Sequence, residues 1–352
     1  MLRVSVIIPT LNRAGVLGRT LRSIVAVVDS SDPVEIIVVD NGSVDQTAEV
    51  FREIRVMFPQ YEWRYFYEPV PGLLSGRHRG AKEARGEILS FLDDDVTLPA
   101  RWMESILQPF GDPDIHFVGC RYLPDYDHAP PFWTEGLWQE HDDGFRTLGH
   151  LSLLDGGELS RPYRPMLVWG LCFAARRETV IKLGGFNPDG YPWELRRFRG
   201  DGESGLASKA EMLGFKAFYQ GKTHVKHHVP ASRMTPEYFE RRSFLQGISD
   251  SYTQIRRDCR VPGAPGRSWK DLLRPAKWKI ERDLILRRPT AEGVARLMVR
   301  AHRAGMQFHE NAARNDPKVL DWVLRQNYLD PRLPDGWTQY LNARKDQPPR
   351  PA

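Results

Sequence analysis

The run Ile88-Leu89-Ser90-Phe91-Leu92, followed at once by Asp93-Asp94-Asp95, constrains this chain more than any other stretch. A short apolar run bounded by polar residues reads as a buried strand. A buried strand that delivers three adjacent carboxylates to its C-terminal end is costly unless a cation meets them there. In open α/β sheets that end is where ligands collect. A divalent metal carrying a phosphate suits such a cluster, because hard cations take oxygen ligands and share them with substrate phosphates. The ordinary alternative is an acidic turn capping the helix after Pro99.

Upstream the pattern repeats. Residues 4–8 are rich in β-branched side chains, as in a central parallel strand. Pro9-Thr10-Leu11-Asn12-Arg13 is the loop after it, and Leu17, Leu21, Ile24 and Val28 recur at helical spacing. Residues 35–40 form a second strand, also ending in a carboxylate, Asp40. Asn41-Gly42 turns the chain, and Ser43 with Gln46 makes a capping box for a helix that turns Ala48, Phe51 and Ile54 inward. Residues 62–67 read as a third strand and 76–85 as a short basic helix with Ala81 and Ala84 as small packing residues. After the acidic strand, Pro99 opens a helix and residues 116–120 form another strand. Strand and helix alternate at the pace of βαβ units. The expected class is α/β, with a doubly wound, mostly parallel, Rossmann-like sheet. Pro9-Thr10, Asp40 and Asp93 to Asp95 would then line one edge.

Residues 122–145 are rich in aromatics, proline and acid, including Trp133 and Trp138, and read as a long loop over the sheet edge. An apolar run at 168–174, a helix at 176–183 and the tight turn Gly184-Gly185-Phe186 follow. A second acidic loop, Arg199-Gly200-Asp201-Gly202-Glu203-Ser204, leads into an amphipathic helix, and 215–220 is the last strand. Beyond Pro230 the strands stop. A helix at 236–257, a Pro/Gly linker at 261–267 and one or two basic helices at 269–310 are expected, with a disordered tail at 347–352. This divides the chain into 1–230 (in two halves, 1–120 and 121–230), a helical basic extension 231–346, and the tail.

Composition narrows the partners. With 41% hydrophobic and 27% charged residues the chain is ordinary for a globular protein. Its three cysteines lack paired spacing, which points to a reducing compartment and against a zinc site. The first residues read as a strand and not as a signal peptide. No stretch has the length and apolarity of a membrane span. Net charge is +5, but residues 256–310 hold 14 Lys/Arg against 6 Asp/Glu. That basic segment could meet an anionic membrane surface or a second copy of the chain. No nucleic-acid partner is expected.

Ser5-Val6-Ile7-Ile8-Pro9-Thr10-Leu11-Asn12-Arg13, Val38-Val39-Asp40-Asn41-Gly42-Ser43 and Phe91-Leu92-Asp93-Asp94-Asp95, in that order and spacing, resemble the family-2 glycosyltransferases. Gly184-Gly185-Phe186-Asn187, Gly200-Asp201-Gly202-Glu203 and the histidine after the last strand resemble that family's acceptor half, so the likeness runs to about residue 247. It implies a GT-A fold and an inverting, metal-dependent transferase using Mn²⁺ or Mg²⁺. The donor would be a UDP- or GDP-linked sugar, and the acceptor a hydroxyl on a glycan, glycolipid or small molecule. The place would be the cytosol or the cytosolic membrane face. Asp95 and Asp93 match the ends of the DxD motif, Asp95 as metal ligand and Asp93 toward ribose or metal-bound water, while Asp94 would cap backbone. Asp40, with Asn41 and Gly42, matches the nucleobase-reading turn. Pro9, Thr10, Asn12 and Arg13 match the first nucleotide loop. Arg77, His78 and Arg79 stand where the family shows an Arg-Asn pair, here with His78 in the Asn position. Asp201 matches the catalytic base although Gly200 replaces the usual preceding Glu; Glu203 could substitute or cap the helix. His227 would be the metal's third ligand, with His224 and His228 as competitors. Trp133, Trp138 and Trp169 are candidate sugar- or lipid-facing aromatics, or simply packing.

Other classes fit less well. Asp93-Asp94-Asp95-Val96-Thr97 also suits a haloacid-dehalogenase-like phosphatase loop, but that loop sits on a first strand, and here two βα units precede it. A nicotinamide dehydrogenase would need G-x-G-x-x-G after the first strand, and a nucleotidyltransferase a Gly/Arg/Lys-rich loop there. A catalytically inactive binder would not need Asp93, Asp95, Asp201 and His227 together.

Overall fold

The computed structural model describes residues 3–263 and 274–329. The expected tail at 347–352, and parts of the expected linker and basic extension, lie outside the described residues. The first half alternates as read: β1 (Val4–Thr10), α1 (Ala14–Val25), β2 (Val34–Asp40), α2 (Thr47–Met57), β3 (Glu62–Tyr67), α3 (Leu73–Glu83) and β4 (Ile88–Leu92). Then come β5 (Val96–Thr97), α4 (Trp102–Leu107) and β6 (Ile115–Tyr126). Four short strands follow, β7 (Gln139–Glu140), β8 (Arg146–Leu148), β9 (Leu153–Asp155) and β10 (Arg161–Tyr163). After them come β11 (Cys172–Arg176), α5 (Arg177–Lys182), α6 (Gly202–Met212) and β12 (Lys216–Val229). Four helices close the described chain: α7 (Pro236–Asp258), α8 (Arg274–Arg287), α9 (Ala291–Asn315) and α10 (Pro317–Leu324).

The sheet runs β3-β2-β1-β4-β11-β6 and continues into β9-β8-β7. β3, β2, β1 and β4 are mutually parallel. β11 enters antiparallel between β4 and β6. Successive residues of β1 bury on opposite faces, as pleating requires. Val6 and Ile8 pack with Leu17, Leu21, Ile54 and Trp102 from α1, α2 and α4. Ile7 packs on the other side with Leu74 and Ala81 of α3 and Leu206 of α6. α3 can lie close to β1 because glycine occupies the contact. A Cβ on Gly80 would stand 2.3 Å from Ile7 Cγ2, and one on Gly76 would stand 2.9 Å from Pro9 Cβ. That close approach carries Arg77, between them, to the sheet's ligand edge.

Three expectations change. The Ser43/Gln46 capping box does not form; Asp45 instead accepts from Thr47 N (3.1 Å) and Oγ1 (2.5 Å), and Ser43 Oγ accepts from Asn12 N. Residues 122–145 are not one loop, because β6 continues to Tyr126 alongside β12. The strand expected at 215–220 runs on to Val229, so the histidines lie within it. The helical extension also shares a core with the sheet: Tyr252, Ile255, Val319 and Trp322 bury in the cluster that holds Phe91 and Phe173. No helix among the described residues is long and apolar enough to cross a membrane.

Candidate active site

The strand ends do converge. A cavity of about 770 Å³ opens above them, and Pro9, Thr10, Arg13, Asn41, Arg77, Asp93, Asp94, Asp95 and His227 all line it. The link between Asp95 and His227 is a short ladder. β5, directly after the three carboxylates, pairs antiparallel with β12 and sets Val96 opposite His227. His227 Nε2 thereby stands 3.4 Å from Asp95 Oδ2. His227 Nδ1 lies 2.8 Å from the Leu151 carbonyl, which can only accept, and Nε2 lies 2.9 Å from Arg233 Nη1, which can only donate. Nδ1–H therefore donates to that carbonyl, and the side of the ring that carries Nε2 faces Asp95. Arg233 Nη2 reaches the same Asp95 oxygen at 3.1 Å, and Arg13 Nη2 binds it from the other side.

Asp95 and His227 offer one oxygen and one nitrogen donor to a single spot, a set suited to a divalent cation. A backbone carbonyl that holds the ring nitrogen turned away from the metal is the usual arrangement for a metal-ligating histidine. Guanidinium groups now satisfy those lone pairs, so a cation there would displace Arg233. Asp93, the other expected DxD ligand, turns its Oδ1 to Arg77 Nη2 at 3.4 Å, and no three His, Cys, Asp or Glu converge on a metal position among the described residues. Asp94 does not cap backbone either. Its side chain accepts from Thr10 Oγ1 (2.6 Å) and pairs with Arg13 Nε (2.9 Å). Burial raises the Asp93 and Asp94 carboxyls above their ordinary range. Burial acts the same way on Asp95, but His227, Arg13 and Arg233 reverse it and hold that group ionised. Three adjacent buried carboxyls cannot all ionise without added positive charge.

Beside this cluster, Arg77 is 1% exposed and faces three acids from three segments. They are Asp93, Glu203 Oε2 at 3.2 Å and Asp189 Oδ2 at 3.6 Å, and Arg77 Nη2 also donates to Gly170 O at 3.0 Å. Glu203 lines the cavity with its side chain 30% exposed. Burial would raise its carboxyl, but the Arg77 charge together with hydrogen bonds from Arg77 and from backbone N–H groups outweighs that and keeps it below the ordinary value.

Asp201 does not line the cavity. It is the residue before α6, and its oxygens accept from Asn187 Nδ2 (2.8 Å) and Thr253 Oγ1 (2.6 Å). Burial raises its carboxyl. Asp40 is likewise turned inward: Ser43 N donates to one oxygen at 2.7 Å and the Tyr65 hydroxyl to the other. Asn41 lines the cavity but uses its amide to hold the loop at Glu68, Val70 and Gly72. Asn12 sits at φ +53°, its Oδ1 accepting from Val44 N, and neither it nor Gly42 reaches the cavity. His78 is no part of a basic edge; it is buried behind the site, accepting from Phe186 N at 2.9 Å. Neither His224 nor His228 lines the cavity, and His228 pairs with Asp127. Trp169 lines the cavity, whereas Trp133 packs edge-on to Phe239 in a third core. Asp189, Arg199, Arg233 and Arg242 line the cavity and carry no motif.

Residues 5–178 match the family described as glycosyl transferase family 2. Validoxylamine A glucosyltransferase of Streptomyces hygroscopicus subsp. jinggangensis is 29% identical over 207 residues, covering 54% of this chain and 48% of that protein. Glucosyl-dolichyl phosphate glucuronosyltransferase of Haloferax volcanii is 22% identical over 255 residues, 70% of this chain and 76% of that one. The match therefore spans about half the length of the Streptomyces relative. Among solved structures, a mannosyltransferase from Pyrobaculum calidifontis in complex with GDP-Man and Mn²⁺ superposes with a TM-score of 0.52 at 20% identity, over 98% of this chain and 88% of that one. At that identity the likeness is one of fold.

Proposed function

We propose that this chain, which belongs to glycosyl transferase family 2 and has the GT-A fold, moves a sugar from a nucleoside-diphosphate sugar to a hydroxyl acceptor with inversion. The observation that carries the reading is the single cavity in which Arg13, Asp94, Asp95 and His227 face Glu203 and Arg77. The UDP- or GDP-linked donor lies with its diphosphate toward Arg13, Asp95 and Arg233. A divalent cation held by Asp95 and His227, Mn²⁺ or Mg²⁺, would supply Lewis-acid stabilisation of the departing diphosphate. The Mn²⁺ in the Pyrobaculum mannosyltransferase complex supports that assignment. Arg13 and Arg233, now on Asp95, are the groups free to turn onto phosphate oxygens as negative charge grows there.

Glu203 is the general base of this reading. It is ionised, exposed to the cavity, and oriented by Arg77, which ties it to Asp93 of the donor cluster. As the acceptor oxygen bonds to the anomeric carbon, its proton passes to a Glu203 oxygen and the electron pair of the breaking C–O bond leaves with the diphosphate. Asp201 acts indirectly, fixing Asn187 and Thr253 around the start of α6. The acceptor, a glycan, glycolipid or small molecule, enters from the side of α7. A thermal-shift panel of nucleoside diphosphates with and without Mn²⁺ tests the reading, because a ligand that binds only the native state stabilises it. One diphosphate should raise the melting temperature, and more so with Mn²⁺. No response to any nucleotide would end the proposal.

A further inference from the structure

Five arginines line the cavity, and they fall into two groups. Arg13, Arg77 and Arg233 each meet a carboxylate within 4 Å. Arg199 and Arg242 meet none among the described residues, and neither makes a side-chain hydrogen bond there. Both Nε atoms are buried and lack a partner. Arg199 ends the turn that follows Trp193–Phe198, and Arg242 projects from α7. α7 packs directly on that turn: Ser249 Oγ donates to Gly200 O at 2.7 Å, and the Tyr252 ring closes over Gly200. The two guanidiniums are near enough that, burial aside, the charge of Arg242 is the main influence lowering the Arg199 pKa. The acids whose charge reaches Arg199 are Asp189 and Glu203, which already face Arg77.

Two like charges held together on a cavity wall without counter-charge are unfavourable by themselves. They are the geometry that recognises phosphate or carboxylate, since each planar guanidinium offers paired N–H donors. Their place also matters. Arg199 lies four residues before Glu203, and Arg242 lies on α7, which also turns Tyr238 and Gln246 to the cavity.

We propose that the acceptor carries an anionic group, a phosphate or a carboxylate, that seats on Arg199 and Arg242 while its hydroxyl faces Glu203. The inference rests on the transferase reading for the word acceptor, but the anion site itself does not. The chain would be titrated with inorganic phosphate, with malonate and with neutral glucose, each alone and again with a nucleoside diphosphate and Mn²⁺ saturating the donor end. Melting temperature and calorimetric affinity are the readouts. Phosphate or malonate should bind in both conditions and glucose should give no shift; the stronger anion names the group. Arg199→Gln and Arg242→Gln should each weaken anion binding about tenfold or more, the scale of one lost charge-assisted pair, while the nucleotide shift is kept. Arg242→Lys, which retains charge and stem packing, should retain part of the binding and covers the case in which a Gln variant fails to fold. Wild-type anion affinity in the folded variants would overturn the proposal. So would nucleotide binding that falls with either variant while anion binding does not, since the pair would then belong to the donor. Anion binding that depends on Arg242 in a chain that binds no nucleotide would sink the transferase reading and leave the anion site standing.

Discussion

Glu203 and Asp201 lie two residues apart at the start of α6, and that offset decides which can meet an acceptor. Asp201 stands before the helix and is turned into protein, with Asn187 and Thr253 on its oxygens. Glu203, in the first turn, presents its carboxylate to the cavity beside Arg77. Glu203→Gln should therefore lower kcat about a hundredfold or more while the nucleotide thermal shift is unchanged, the scale of a positioned general base. Asp201→Asn keeps an oxygen that can accept from Asn187 or Thr253 and should hold kcat within about tenfold of wild type. The reverse ranking in a transfer assay returns the base to Asp201. Arg233 is open to a similar test. It fills the spot shared by Asp95 and His227 with two contacts, at 3.1 and 2.9 Å. Arg233→Ala should tighten binding of Mn²⁺ alone about tenfold, by removal of a competing charge-assisted hydrogen bond, and should shrink the nucleoside-diphosphate shift. Weaker Mn²⁺ binding in an electron-paramagnetic titration would show that Arg233 supports the cation site and does not compete for it.

The elements that were easiest to read are those whose burial is complete. β1 and β2 are buried at every position, which is why apolar residues dominate both, with the buried Ser5 hydroxyl donating to the buried Glu35 at 2.6 Å. What could not be read from local pattern is how α7 and α9 meet. Their contact is made by two glycines that look unremarkable in sequence. A Cβ on Gly247 of α7 would stand 2.0 Å from His302 O, and one on Gly305 of α9 would stand 2.0 Å from Phe244 O. Each glycine receives the other helix's backbone, so neither neighbour can move aside as a flexible side chain would. Gly247→Ala should destabilise the chain by about 2 kcal/mol or more, beyond the gain in helix propensity, because the two helices must separate. Because α7 also carries Arg242, anion affinity should fall with it. Gly15→Ala, at a position with nothing within 4 Å, is the control and should be neutral or slightly stabilising. Equal melting temperatures for the two variants would mean that the helices do not pack this closely.

At the scale of the molecule, the donor edge was legible because three strands end in polar residues at the same level, and the structure does gather Thr10, Asn41 and Asp93 to Asp95 there. The rest of the cavity depends on contacts between distant segments. Asp95 meets His227 only through the β5–β12 ladder, and Arg77, Asp93, Asp189 and Glu203 come from four separate stretches. Arg199, Arg233 and Arg242 are indistinguishable in sequence from surface charges. His78 shows the same limit from the other side, since its place in a basic stretch pointed to a ligand and the fold made it a buried acceptor. Its Nε2 takes the Phe186 N–H, and burial, helped by Lys209 and Arg77, lowers its pKa to about 3. In the unfolded chain the ring titrates near about 6.5. Between those values the unfolded state binds a proton that the folded state refuses. The stability His78 contributes is thus complete above the unfolded pKa and is lost as pH falls, by at most about 1.4 kcal/mol per pH unit. Other buried groups titrate too: burial raises Asp93 and Asp189, which acts in the opposite sense. Those contributions cancel in a comparison with His78→Gln, whose amide oxygen can still accept from Phe186 N but does not titrate. The stability difference between wild type and His78→Gln should be flat above about pH 7.5 and should shift steadily against wild type below about pH 6.5, where protonation of the unfolded ring sets in. Denaturant titrations of both proteins from pH 8 down to pH 5 measure it, and a difference independent of pH would mean that His78 is not held neutral in the fold.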